Sequence, residues 1–92
     1  MKELTKAAVE RWGETAQLLM TVEELNELSV EVMHKIRGRV ELGNMPLLEE
    51  MADVEIMLEQ LKIILESECA DFPTDFEAIK TRKLHRLERR LA

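Results

Sequence analysis

PLLEEMADVEIMLEQLKIILESE, residues 46–68, is the stretch on which the fold turns. At about 100° per residue, Glu55, Glu59, Lys62 and Glu66 share one narrow arc, which reads as the solvent face of a helix. Leu47, Met51, Val54, Met57, Leu58, Leu61, Ile64 and Leu65 take the opposite side. Pro46 suits the first turn, where its missing N–H costs nothing. The helix is expected to reach about Glu68, with Asp71-Phe72-Pro73 as the break beyond it. Glu50 and Asp53 depart from this pattern, because they sit within or beside the apolar arc. A carboxylate there needs a partner, since an unpaired buried charge costs on the order of several kcal/mol.

Working outward, the punctuation is sparse. Gly13 after Trp12 separates a short first helix (about 3–12) from a long second one (about 14–38). Residues 38–44 read as a loop with glycine at its start and Gly43 near its end. Thr74-Asp75-Phe76-Glu77 has the capping-box pattern, Thr74 as N-cap and Glu77 at N3, and opens a fourth helix to the C-terminus. Four helices joined by short loops predict an all-α fold, a compact four-helix bundle forming one domain over residues 1–92. In the second helix, Gln17, Met20, Glu24, Glu27, Glu31 and His34 form one stripe. Leu18, Val22, Leu25, Leu28, Val32 and Ile36 form the neighbouring broad face, which is the natural core face. The acidic stripe therefore borders the core. If the second and third helices pair antiparallel, Glu24, Glu27, Glu50 and Asp53 converge on one point.

Composition removes several classes of function. Three Gly and two Pro in 92 residues are too few for a turn-rich β-sandwich. The single Cys69 makes neither an internal disulfide nor, by itself, a thiolate zinc site; it and the six Met read as packing. Neither a signal peptide at Met1-Lys2-Glu3-Leu4 nor a membrane span is legible, so a cytoplasmic location is expected. No Gly-rich GK[ST] segment is present, which excludes a P-loop mechanism. The net charge of −6 is uneven: residues 1–79 hold 18 acidic and 7 basic side chains, residues 80–92 hold 6 basic and only Glu88. An acidic body disfavours nucleic-acid polymers as partners. The basic end either meets a small polyphosphate or pairs with that acidic body. Glu31-x-x-His34 has the spacing of di-iron bundles, but the second such motif is missing, and His34 reads as a rim residue. Leu19, Val30, Ile56 and Ile63 lie off the main core arcs, which predicts a homodimer or homotetramer.

Four carboxylates in one pocket repel one another, and protonation or a cation must relieve that. Oxygen-only ligands suit a hard cation, Mg²⁺ or alternatively Mn²⁺. Glu23-Glu24-Leu25-Asn26-Glu27, followed by Glu50-Met51-Ala52-Asp53, resembles the EExxE…ExxD signature of the MazG-like, all-α nucleoside triphosphate pyrophosphohydrolases. Trp12-Gly13 and Gln17 ahead of the first half extend the likeness, which spans roughly residues 8–65. The resemblance implies Mg²⁺-dependent cleavage of a nucleoside triphosphate, a dNTP foremost, between its α- and β-phosphates. It implies Glu24, Glu27, Glu50 and Asp53 as metal ligands, with Glu23 holding a second metal or orienting the attacking water. The general base among these acids stays open. Preferences for dUTP, dCTP or phosphoribosyl-ATP are narrower versions of the same chemistry.

The fourth helix extends this reading. Lys80, Lys83 and Arg90 project within its apolar arc of Phe76, Ile79, Leu84, Leu87 and Leu91, with Arg86 at the edge. Lys80, Lys83 and Arg86 are the candidate triphosphate clamp, or else pair with body acids or snorkel past their apolar stems. Trp12 and Gln17 are candidates for contacting the base, by stacking and hydrogen bonding; the more ordinary reading of Trp12 is a core or interface anchor. The rival function is a non-enzymatic helical interaction module whose acidic face docks a basic partner.

Overall fold

A computed structural model describes residues 2–39, 41 and 43–92 and is helical almost throughout. The elements are α1 (Lys2–Trp12), α2 (Glu14–Ile36), α3 (Met45–Glu68) and α4 (Phe72–Leu91). Among the described residues there is no strand, and no helix is long and apolar enough to cross a membrane.

The glycines separate the elements as their conformational freedom dictates. Gly13 holds φ 90 and ψ 156 between α1 and α2, in a region that only glycine occupies at ease. Its N–H still donates to the Val9 carbonyl at 2.8 Å, and its own carbonyl accepts from Gln17 N–H at 3.2 Å. Nothing stands within 4 Å of where a Cβ would lie. Gly13→Ala is therefore expected to cost about 1–3 kcal/mol through torsion alone, measured by urea unfolding with the m-value unchanged. At the other end of α2, Gly38 (φ 72) follows the cap Arg37. Gly38 N–H donates to the Lys35 carbonyl and Arg39 N–H to that of His34, the paired bonds of a Schellman ending. The Lys35 ammonium then ties the loop by donating to Asn44 Oδ1 at 2.9 Å. Val40 and Leu42 of the expected 38–44 loop lie outside the described residues.

Helix α4 begins two residues before the expected N-cap. Thr74 is inside it, Asp71 takes the cap position without a side-chain bond, and Pro73 sits in the first turn. The proline that was expected to break the chain instead opens a helix, because a first-turn residue has no intrahelical acceptor to lose.

Helices α2 and α3 form the main contact, with α1 lying against both and more heavily on α3. Gln17 meets Gln60 towards one end of the pair and Glu27 meets Glu50 towards the other, so the two helices run antiparallel. The third helix largely keeps its expected inner side: Val54, Met57 and Ile64 are buried, with Leu47, Leu61 and Leu65 half-buried. Met51 and Leu58 stay exposed, and Glu59 and Lys62 on the expected solvent arc are partly covered.

The second helix is turned the other way from expectation. Gln17 and Thr21, each 7% exposed, face α3, with Glu24, Leu28, Glu31 and His34 half-buried along the same side. The presumed core face is outside: Leu18, Leu25 and Val32 are over 40% exposed, Val22 55% and Ile36 71%. Two of the inward polar groups are satisfied locally: Thr21 Oγ1 donates to the Gln17 carbonyl at 2.8 Å and Gln17 Nε2 donates to Gln60 Oε1. A paired buried amide costs little.

The expected compact bundle is also corrected. The radius of gyration is 16.1 Å and the extents are 44 × 42 × 20 Å, against about 12 Å for a close-packed domain of this length. The cause is α4, which touches α3 alone. Phe72 and Phe76 stack at 5.6 Å, and the Lys62 ammonium lies 5.3 Å from the Phe76 ring centre. From Thr74 onward α4 has no buried or half-buried residue.

Candidate metal centre and adjoining cavity

Spacing by three places Glu24 over Glu27 on α2, and Glu50 over Asp53 on α3. Antiparallel pairing then sets the two steps opposite each other. Glu24, Glu27 and Glu50 each offer one carboxylate oxygen, and these atoms lie within 4.8 Å of one another. Ligand oxygens on opposite sides of a Mg²⁺ ion stand about 4.2 Å apart at normal bond lengths, so the set has nearly the span that one small ion gathers.

Among the described residues no basic side chain relieves the charge of these acids. Glu24 Oε2 and Glu50 Oε2 are buried with no hydrogen-bond partner. Among the described residues no lysine or arginine pairs with Glu24, Glu27, Glu50 or Asp53; the Lys62 ammonium pairs with Glu59 at 3.4 Å, and His34 Nδ1 shares a hydrogen bond with Glu31 Oε2. The Glu24 carboxyl is pushed up to about 7, first by burial and then by the charges of Glu27, Asp53 and Glu50. Burial, followed by the Glu27 charge, raises Glu50 as well. Oxygen-only donors, two orphaned buried oxygens and no neighbouring cation together fit a hard divalent ion.

Asp53 is exposed, yet its charge reaches both Glu24 and Glu50. Glu23 is exposed and is not among the three clustered acids. His34 is half-buried, with its Nδ1 3.4 Å from Glu31 Oε2.

A cavity of about 510 Å³ adjoins the acids, lined by Trp12, Ala16, Gln17, Met20, Glu24, Met57 and Gln60. That volume is in the range of small-molecule sites. Both base candidates, Trp12 and Gln17, therefore share one cavity with a metal-ligand candidate. Gln60 had escaped notice, although its place between Met57 and Ile64 at helical spacing marks it as a polar residue on the buried side. Thr21 is the same kind of signal on α2.

The phosphate candidates are placed differently. Lys80, Lys83 and Arg86 are exposed, and α4 makes no contact with α2, where Glu24 and Glu27 stand. They were expected at buried-side positions, but the α4 apolar stripe is itself uncovered, with Ile79 at 43% and Leu84 at 55% exposure. Lys83 and Arg86 instead line a small basic pocket with Arg82 and Arg89. Against family models, curated proteins and solved structures, the chain finds no significant match.

Proposed function

We propose that the chain is a divalent-metal-dependent nucleoside triphosphate pyrophosphohydrolase of the MazG-like type. The observation that carries this reading is the junction at Glu24, which belongs both to an unpaired carboxylate cluster and to a cavity with an aromatic wall. Glu24, Glu27, Glu50 and Asp53 hold the ion, Mg²⁺ or Mn²⁺. When bound, the ion offsets charge on the phosphate oxygens and lowers the pKa of a coordinated water. The chain's own residues do the rest. Trp12 offers its ring to the base, Gln17 its amide, and Glu24 fixes where the triphosphate must lie relative to the base. Glu23, exposed one residue away, orients water from the rim or holds a second ion. The reaction consumes one water per nucleotide and yields nucleoside monophosphate and pyrophosphate. The setting this implies is a cytoplasmic nucleotide pool.

The exposed flank of α2, with Leu18, Val22, Leu25 and Val32, asks for cover, as does the stripe on α4. We assign that cover to a second copy, in a homodimer or homotetramer. Such an assembly can bring Lys80, Lys83 and Arg86 of one copy over the acids of another, which the single chain does not do.

Incubation with a dNTP panel and Mg²⁺, scored by product identity, tests the activity. Pyrophosphate plus monophosphate is expected; stepwise release of inorganic phosphate would contradict the bond assignment. A folded protein with no turnover, whose melting temperature Mg²⁺ does not raise, would return the acids to the role of a docking face for a basic partner.

A further inference from the structure

The wall of the Trp12 cavity contains two side-chain amides that are both more than nine-tenths buried, Gln17 at 7% and Gln60 at 5% exposure. A glutamine amide has two N–H donors and one oxygen acceptor. Gln17 Nε2 donates to Gln60 Oε1, while Gln60 Nε2 is directed at Met57 Sδ, 3.7 Å away. Sulfur is a weak acceptor, so it holds Gln60 in one sense without consuming its donors fully. The arrangement is a relay: Met57 sets Gln60, and Gln60 sets which end of the Gln17 amide lies against α3. Gln17 keeps a second N–H and its oxygen, and it lines the same cavity as the Trp12 ring. That pair of atoms is what an amide uses to read a donor–acceptor edge of a nucleobase.

We infer that Gln60 is a specificity-determining positioning residue, which fixes the Gln17 amide so that one kind of base edge is favoured in the Trp12 cavity. This rests on the nucleotide reading above, but its test does not require turnover. A freely rotating Gln17 would offer donor and acceptor in either order and accept base edges of opposite sense. A fixed one rejects the wrong order, because a buried polar group would be left unpaired.

Trp12 is the only tryptophan in the chain, so its emission reports this cavity alone. Titrating the wild-type protein with the common nucleosides, which carry no phosphate, is expected to change Trp12 emission with dissociation constants spread about tenfold or more between bases. Gln60→Leu is expected to compress that spread towards equality. Gln60→Glu keeps an acceptor for the Gln17 N–H and is expected to restore the wild-type order. An unchanged spread in Gln60→Leu, with its Mg²⁺-induced rise in melting temperature intact, would overturn the inference, as would wild-type emission that no nucleoside alters. Nucleoside binding with this pattern but without pyrophosphate release would support the inference and remove the hydrolase reading. Pyrophosphate release with unaltered Trp12 emission would do the reverse.

Discussion

Glu50→Gln is expected to lower pyrophosphate release by about 10²–10³-fold while raising the melting temperature of the metal-free protein. The two effects have opposite signs for one reason. In the native chain Glu50 Oε2 is buried without a partner and stands among the charges of Glu27 and Asp53. An amide of the same shape removes that repulsion and can donate to a neighbouring carboxylate, so the empty cluster relaxes. The same amide is a poor ligand for a hard cation, and Mg²⁺ then stabilises the variant little or not at all. A structural acid gives another result: loss of its partner lowers stability, and added metal changes nothing. Calorimetry of both proteins with and without Mg²⁺, beside the activity assay, separates the cases. A destabilised variant that still responds to Mg²⁺ would remove Glu50 from the ligand set.

The second large effect is on pH dependence. The folded-state value of Glu24 is about 7, against 4.5 for the group in its ordinary state. Between these limits the native chain binds more protons at this position than the unfolded chain does. Its stability therefore falls as pH rises through the window, and the favourable contribution is gone above about pH 7. Glu50 acts in the same direction. Metal reverses the trend, because a ligand carboxylate must be ionised to bind. The rise in melting temperature on adding Mg²⁺ is thus expected to be small at pH 5 and to reach at least about 4 °C at pH 8. Glu24→Gln should flatten the metal-free profile across this window. A metal-free protein that is more stable at pH 8 than at pH 5 would contradict the clustered arrangement.

Much of this was legible from residue spacing. The helix limits followed from Gly13, Gly38 and Pro46, and the third helix showed most of its inner side through Val54, Met57 and Ile64. The step of three residues in each acidic pair was enough to predict that two helices would bring carboxylates together. The azimuth of α2 was not legible. Hydropathy assigns Leu18, Val22 and Leu25 to the interior, but inside one chain α3 meets Gln17 and Thr21 instead. Periodicity measures how apolar a face is; it does not measure how well polar groups on the adjoining face satisfy one another. The amide pair and the Thr21 hydroxyl bond settle that balance, and neither is visible without coordinates. The start of α4 was missed for a local reason: Thr74 and Glu77 match a cap pattern, while Pro73 two residues inside Asp71 is an equally good opening.

The narrow seat of α4 has a mechanical consequence. Twenty residues of helix extend about 30 Å, and α4 meets α3 near its start, where Phe76 lies under the Lys62 ammonium and Phe72 stacks on Phe76. A pivot of about 20° at that fulcrum swings the far tip through about 10 Å, with Arg89 and Arg90 riding on it. By this leverage a small adjustment of two aromatic rings would carry positive charge a long way.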